Sequence, residues 1–357
     1  MPSISQADEM VQQFAAAAGF DLAGIAPIED FRELGYFPRW IAAGHAGEMK
    51  YMETRDEQGR LKRASFAHAA PWARSVVVCA LTYNTEQPYS TQTNDPTRGW
   101  ISRYAWGGRD YHDILMPRLR QVEVALKENS GADLVTRCYV DTGPIIERVA
   151  AKYAGIGWIG KNTCILNQKM GSWLFLGVIL TSLELEAIAT VPAPDRCGSC
   201  TRCLDACPTN AFVAPYQLDA SRCISYLTIE KRGTLACDDD LRSGIGRHVF
   251  GCDICQDVCP WNRKAPVTNL EEFQPRPEFV NPGLEWLAQL SAEEFREKFR
   301  GSPVKRAKLH GLRRNAVIAM GNSGNQEFLP LLRKLEADEN AAVRESASWA
   351  ARKLKGG

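Results

Sequence analysis

Nine of this chain's twelve cysteines fall between positions 197 and 259, and none follows them. Within that block stands Cys197-x2-Cys200-x2-Cys203-x3-Cys207-Pro208, and later Cys252-x2-Cys255-x3-Cys259-Pro260. The first run has the bacterial ferredoxin spacing, in which three close thiolates grip one [4Fe-4S] cube and the fourth ligates a second cube. A chain with this pattern must fold around two bulky iron–sulfur groups. The second run is one thiolate short, because full spacing would put a cysteine at 249, where Val249 stands. Crossing the runs gives one cube Cys197, Cys200, Cys203 and Cys259. The other cube receives Cys207, Cys252 and Cys255 and needs a fourth ligand. Cys223 or Cys237 must supply it, and spacing alone does not choose. Zinc also takes Cys-x2-Cys pairs, but a third cysteine two residues on, with Cys-Pro closing both runs, is not zinc-ribbon spacing.

The segment MPSISQADEM has neither a basic region nor an apolar one, so no secretory signal is expected. The longest apolar stretch, Trp173 to Leu180, is far short of the roughly 20 residues a membrane span needs. The expectation is a cytoplasmic chain without a membrane partner. In that compartment a cysteine-rich sequence points to metal or redox chemistry rather than structural disulfides. Charge is balanced overall, 43 Lys and Arg against 42 Asp and Glu, which excludes a polyelectrolyte. The balance is uneven, however. Residues 301–357 hold 11 Lys and Arg against 5 Asp and Glu, and such a basic end points weakly to a polyanionic partner.

Two to three domains fit 357 residues. Residues 1–190 read as a mixed α/β domain. Ser5-x-x-Asp8 resembles a capping box opening a helix that Gly19 stops. Short apolar runs at Asp21–Ile28, Ser75–Tyr83, Leu134–Val140, Thr163–Asn167 and Trp173–Thr181 read as strands. Asp110 is placed to cap a helix carrying Ile114, Leu115, Leu119, Val122 and Leu126, and Pro144 to open another running through Ala154. The Pro-marked stretch Thr190–Pro194 reads as a linker. The cluster block, 191–265, is ferredoxin-like. A Pro-containing connector, 266–300, leads to a helical tail, 301–357. In the tail Leu312-Arg313-x-x-Ala316-x-x-Ala319 recurs 31 residues later as Val343-Arg344-x-x-Ala347-x-x-Ala350, a HEAT-like period of fewer than two full units. Such a short stack must bury its apolar face against the rest of the chain. It reads equally as a docking cap or as a basic binding face, on which Arg313 and Arg314 would meet the polyanion.

Gly155-Ile-Gly157-Trp-Ile-Gly160-Lys161 spells a dinucleotide fingerprint and nearly a phosphate loop. Both motifs need a strand before and a helix after, whereas here the order is reversed. In addition, Asn162 stands where a magnesium-binding hydroxyl belongs. These glycines are expected to make a sharp helix-to-strand turn. Asp141-Thr142-Gly143-Pro144 ends one expected strand and opens a helix. Taken alone, its carboxyl reads as an N-cap or turn residue. The alternative is a general acid at the mouth of a pocket. Ile101 to His112 carries aromatics and arginines suited to stacking on a flat ligand, or to an ordinary surface turn.

In this order, Asp141-Thr-Gly-Pro with Glu147-Arg148, the Gly155–Thr163 stretch, the two cysteine runs and the helical tail closely resemble the epoxyqueuosine reductases. The resemblance covers nearly the whole chain. It implies an oxidoreductase that uses cobalamin and two [4Fe-4S] clusters to reduce the epoxide of epoxyqueuosine at the wobble position of tRNA, and kinship with corrinoid reductive dehalogenases. By the same resemblance Asp141 is the proton donor and Cys223 the last ligand of the second cluster. The cobalamin contacts fall on Arg63, Tyr104, Asp141, Ile254 and Cys255, while Lys231 and Arg232 match a stretch that meets tRNA. Where the family usually reads Arg-x-Asp-Pro, this chain has Arg63-Ala-Ser65-Phe66. The partners implied are the tRNA anticodon stem-loop and an external low-potential electron donor, and the chain is expected to be a monomer. The competing readings are an iron–sulfur electron-transfer subunit, a corrinoid dehalogenase and a cluster-bearing tRNA-binding module.

Overall fold

In the computed structural model, residues 4–130, 133–186, 192–235 and 239–356 are described. The body is built on an antiparallel sheet of β1 (Leu22–Pro27), β2 (Ser75–Thr82), β3 (Thr136–Tyr139) and β4 (Leu174–Thr181), in spatial order β1-β2-β4-β3. Every residue of β2 is buried, as its continuous apolar run requires of a strand covered on both faces. Its alternate side chains serve two cores. Val77, Cys79 and Leu81 pack with α1 (Ile4–Ala17) and α2 (Tyr111–Ser130) through Val11, Ala15, Leu119 and Val122. Val76, Val78 and Ala80 pack with α3 (Glu147–Tyr153) through Val149 and Ala150. The sheet is thus the middle layer of a mixed α/β body.

Two expected helix starts move. The first helix already includes Ile4, so Ser5 lies inside it and is not its cap. Gly19 does end that segment, at φ +83°. Pro144 does not begin α3, which starts three residues later at Glu147. Ile145 is drawn into the core, 3% exposed, and this holds the intervening residues as a loop. Of the linker Thr190–Pro194, Thr190 and Val191 lie outside the described residues, as does Cys237.

The cysteine block folds as short helical turns, Arg202–Asp205, Ile224–Ile229 and Ile254–Asp257. It is tied to the body by a parallel pair, His248–Phe250 with Trp100–Ile101. Val249, which occupies the missing thiolate position, is fully buried in that strand. One apolar core continues from Trp100 and Ile101 through Ile224 and Val249 to Leu354, so it crosses the boundaries expected at 190, 265 and 300.

The tail consists of α4 (Lys308–Asn322), α5 (Leu329–Leu335) and α6 (Ala341–Gly356). The recurring alanines, Ala316 and Ala319 with Ala347 and Ala350, are all fully buried where α4 packs on α6. A side chain at Gly321 would lie 2.8 Å from the Ala350 Cα. Asn315 ties α4 to the cluster block, its Nδ2 donating to the carbonyls of Thr228 and Val249 at 2.8 Å each. Buried Leu312 and Val343 add roughly 1.5–3 kcal/mol each. That burial is what short helices need, since they are not stable alone. The docking-cap reading of the tail is therefore what the fold displays.

Candidate active site

Just past the end of β3 the chain makes an unusual turn. Asp141 takes a left-handed backbone, φ +57°, at a cost on the order of 1 kcal/mol for a non-glycine residue. Gly143 follows, and a side chain there would lie 2.6 Å from the Tyr139 ring. The loop is held from outside by Arg63, only 8% exposed. Its guanidinium donates to the Gly143 carbonyl at 2.9 Å, and to the Tyr51 carbonyl and the Thr54 hydroxyl at 2.7 and 3.2 Å. Burial lowers the pKa of Arg63, and the nearby Glu147 and Asp141 carboxyls oppose that shift. Ser65 stands where the resemblance expects Asp. It caps the turn Phe66–Ala69, accepting from Ala67 N at 3.2 Å.

Asp141 does not cap α3. The N-cap position is Ile146, which has no side-chain cap hydrogen bond. Instead the Tyr111 hydroxyl donates to Asp141 Oδ2 at 2.9 Å. Burial raises the Tyr111 pKa, with the Asp141 charge adding to it, so this phenol stays a donor.

Behind Asp141 lies a cavity of about 450 Å³. Its wall includes Tyr104, Tyr111 and Glu147 together with Cys223, Cys252 and Cys255. A second hollow of about 490 Å³ shares Asp141, Glu147, Arg148 and Cys223 with it and reaches Arg63. Thus Asp141, Tyr104, Cys255 and Arg63, far apart in sequence, border joined space. Ile254 borders neither hollow and packs against the core beside Cys255. Burial raises the Glu147 carboxyl to about 7, and Asp141 opposite pushes the same way.

The cysteines expected to hold the clusters influence one another in two neighbourhoods. Burial pushes the Cys203 thiol up to about 11, and Cys259, Cys197 and Cys200 add to the rise. Cys223 is raised by burial with Cys207 adding, and Cys252 by burial with Cys223 and Cys207 adding. Cys255 is raised first by its hydrogen bond with Cys164, then by burial, with Cys252 and Cys223 adding. Thiols raised in this way resist ionising until a cation relieves them, so the donor chemistry fits an iron–sulfur group. Each set is looser than a site for one ion: among the described residues no three His, Cys, Asp or Glu side chains are grouped closely enough for that.

The glycine-rich stretch, read from sequence as a turn, connects the two sets. Gly155 has φ +74°, and a side chain at Gly157 would lie 2.1 Å from the Leu166 carbonyl oxygen. The chain leaves α3 by this turn and forms a hairpin, Trp158–Ile159 with Ile165–Leu166, which is the opposite of a nucleotide loop. Lys161 Nζ donates to the carbonyls of Gly198 and Cys200 at 2.6 and 3.0 Å. Asn162 Nδ2 donates to the Cys255 carbonyl at 3.3 Å. Asp253, between two of the thiols, accepts from Trp100 Nε1 at 3.0 Å and Arg103 N at 2.7 Å, and also from the Ser102 hydroxyl. The aromatic segment 101–112 therefore divides its labour. Tyr104 and Tyr111 border the cavity. Arg103, 2% exposed, is spent on the carbonyls of Thr85, Gln87 and Pro88.

The basic residues expected to meet a polyanion fare differently. Arg314 is 1% exposed and donates to the carbonyls of Leu227, Lys231 and Gly233 and to Asn315, so it is a structural strut and the expectation of a surface contact is corrected. Arg313 is mostly covered, donating to Ala288 O at 2.8 Å and pairing with Asp338 at 2.5 Å. Lys231 pairs with Glu48. The Arg232 guanidinium donates to the carbonyls of Ile229, Ala307 and Arg306. Exposed Arg306 borders two hollows with Asp141 and pairs with Glu230 at 2.5 Å, and exposed Arg148 also borders two. Sequence reasoning gave no role to Arg306, Tyr111 or Glu147, although Glu147 stood among the residues that carry the resemblance. Arg306 lay in a basic run and Tyr111 in a flagged aromatic segment, but nothing local marks any of them as facing Asp141.

Arg314→Met should lower stability by roughly 2–4 kcal/mol, because three buried carbonyls lose their donor. Equilibrium denaturation reads this directly. Arg306→Gln should instead leave stability unchanged and reduce the salt slope of RNA-oligonucleotide binding by about one. A slope that responds to Arg314→Met, with Arg306→Gln silent, would reverse the two roles.

Comparison with known proteins gives one consistent picture. A family model described as "Epoxyqueuosine reductase QueG, DUF1730" matches residues 63–142, and a "4Fe-4S double cluster binding domain" matches residues 196–262. The epoxyqueuosine reductase of Pseudomonas aeruginosa is 38% identical over 99% of this chain and 96% of its own length. That of Synechocystis is 42% identical over 82% of this chain and 98% of its own length. A crystal structure of epoxyqueuosine reductase with an epoxyqueuosine-modified tRNA-Tyr stem-loop superposes with a TM-score of 0.85 at 36% identity, covering 99% of this chain and 91% of that one. The Bacillus subtilis enzyme, solved with its catalytic aspartate loop swung out of the active site, gives 0.84 at 34% identity, with coverage of 99% and 91%.

Proposed function

Because the chain belongs to the epoxyqueuosine reductase family, we propose that it reduces the epoxide of epoxyqueuosine at the wobble position of a tRNA anticodon stem-loop, giving queuosine. The observation that carries this reading is the cavity itself, whose wall brings Asp141 together with Cys223, Cys252 and Cys255. Side chains supply no low-potential electrons, so metal cofactors must. When bound, the two [4Fe-4S] clusters and cobalamin supply single low-potential electrons and a strongly reducing cobalt nucleophile.

In this reading Cys197, Cys200, Cys203 and Cys259 hold the outer cluster, and Cys207, Cys223, Cys252 and Cys255 the one at the cavity wall. Tyr104, Cys255 and the Asp141 loop would border the cobalamin, with Ile254 supporting Cys255 from behind. The aromatic and apolar lining of the paired hollows fits a flat macrocycle better than it fits a small ion. Asp141 gives its proton to the epoxide oxygen as the C–O bond opens, and the Tyr111 hydroxyl then stabilises the carboxylate left behind. Arg63 serves as the clamp that keeps Asp141 turned inward. Arg306 is placed to meet a backbone phosphate at the mouth, and Lys231 and Arg232 would join it on giving up their present partners. The helical tail is a HEAT-like cap on this assembly. The chain works as a cytoplasmic monomer supplied by an external low-potential donor. Among the described residues, no helix is long and apolar enough to cross a membrane.

The test is turnover. Anaerobically reconstituted protein with cobalamin and a chemical reductant should remove one oxygen from epoxyqueuosine in an isolated stem-loop, read by mass spectrometry of the nucleoside. Corrinoid binding without any loss of oxygen would favour the tRNA-binding module. Failure to bind corrinoid at all would favour the electron-transfer subunit. Arg63→Met should slow turnover roughly ten- to hundredfold through a misplaced loop while iron content stays whole. An unchanged rate would remove Arg63 from the positioning of Asp141.

A further inference from the structure

Opening an epoxide to an alkene consumes two protons as well as two electrons: the oxygen leaves as water, two C–O bonds break and one C=C π bond forms. Asp141 can hold only one of those protons. The chain has a second carboxyl on the same cavity, Glu147, in the first turn of α3 and six residues from Asp141. Its Oε1 atom is buried and finds no hydrogen-bond partner. An ionised oxygen left without a donor in such a place is costly, whereas a protonated carboxyl there is not. Two of the hollows that border Asp141 also border Glu147.

We propose that Glu147 stores the second proton of the reaction and reloads Asp141 within each turnover. This rests on the reductase reading above. The first proton passes from Asp141 to the epoxide oxygen, giving a hydroxyl. The second passes from Glu147 to Asp141, and from there to that hydroxyl as it departs as water. Both electrons come from the external low-potential donor through the clusters. Glu147 then recovers a proton from solvent. Glu147 acts through Asp141, which makes it a positioning and proton-holding residue rather than the group that touches substrate.

The charges facing Glu147 are Asp141, which disfavours its ionisation, and Arg148 and Arg63, which favour it; burial outweighs them and sets its carboxyl near neutrality, at about 7. It therefore holds its proton below that pH and loses it above. The single-turnover rate should be flat on the acid side and fall as pH rises through neutrality. Glu147→Gln should be slower by roughly ten- to hundredfold at pH 6 and should lose the fall near 7. A second reading needs no turnover and no cofactor. With 13C in glutamate side chains only, one carboxyl of the purified chain should titrate near neutrality, and that signal should vanish in Glu147→Gln. Labelling glutamate alone keeps the raised aspartates, Asp8 and Asp257, out of the spectrum. Absence of a glutamate titrating near neutrality, or an identical pH–rate profile in the variant, overturns the proposal. If the wild-type chain itself removes no oxygen from the stem-loop, it is the reductase reading that fails.

Discussion

Asp141→Asn should abolish measurable turnover while leaving the fold, both iron–sulfur clusters and cobalamin binding in place. The substitution keeps the size of the side chain and a hydrogen-bonding oxygen for the Tyr111 hydroxyl, which donates to Asp141 at 2.9 Å. It also keeps a residue type that tolerates the left-handed backbone at this position. Only the transferable proton is lost. General-acid catalysis is commonly worth about 10²- to 10⁴-fold, or roughly 3–5 kcal/mol of barrier, and the loss should appear in kcat rather than in stem-loop affinity. Single-turnover kinetics with the variant, alongside its corrinoid absorption and iron content, make the measurement. Retained turnover would leave the carboxyl as a turn residue, the reading its sequence context favoured on its own.

That context shows where the sequence was informative and where it was silent. The double-cluster domain was legible because most of each iron–sulfur motif is local. Cys-x2-Cys-x2-Cys places three thiols on one turn, and the proline after each closing cysteine marks where the turn ends. The continuous apolar run at Ser75–Thr82 likewise announced a strand buried on both faces. The reversed order of helix and strand around Gly155 was enough to reject a nucleotide loop. Other features depended on contacts between distant segments. Arg63 reaches the Gly143 carbonyl across 80 positions, and no periodicity announces a buried arginine serving a loop. Arg314 was misread for the same reason. A basic residue on a basic helix looks like surface until the helix docks, and here α4 turns it onto the carbonyls of residues 227–233. The cores also ignore the boundaries that composition suggested, because a two-residue strand at Trp100–Ile101 pairs with one at His248–Phe250. So short a pairing leaves almost no trace in a sequence.

Cys223→Ala should roughly halve bound iron, from about eight atoms per chain to about four, given four irons per cube. It should also abolish turnover, whereas Cys237→Ala should do neither. The argument is geometric. Cys223 lies at the start of the turn Ile224–Ile229, shares the cavity wall with Cys252 and Cys255, and is nearly enclosed, so that burial and the Cys207 thiol beside it both raise its pKa. A thiol in that setting gains most from a cation, and its removal leaves the inner cube with three protein ligands. In the proposed assignment the remaining cube would rest on Cys197, Cys200, Cys203 and Cys259, a separate set of side chains, and should survive, so the loss should stop near half. Iron and sulfide assays on anaerobically purified variants measure the stoichiometry, and the low-temperature resonance of the reduced protein should show one cluster signal in place of two interacting ones. Should iron fall only in Cys237→Ala, the fourth ligand lies in the stretch outside the described residues. The cavity wall would then lose its claim to a cluster, and the path that brings electrons to face Asp141 would have to be redrawn.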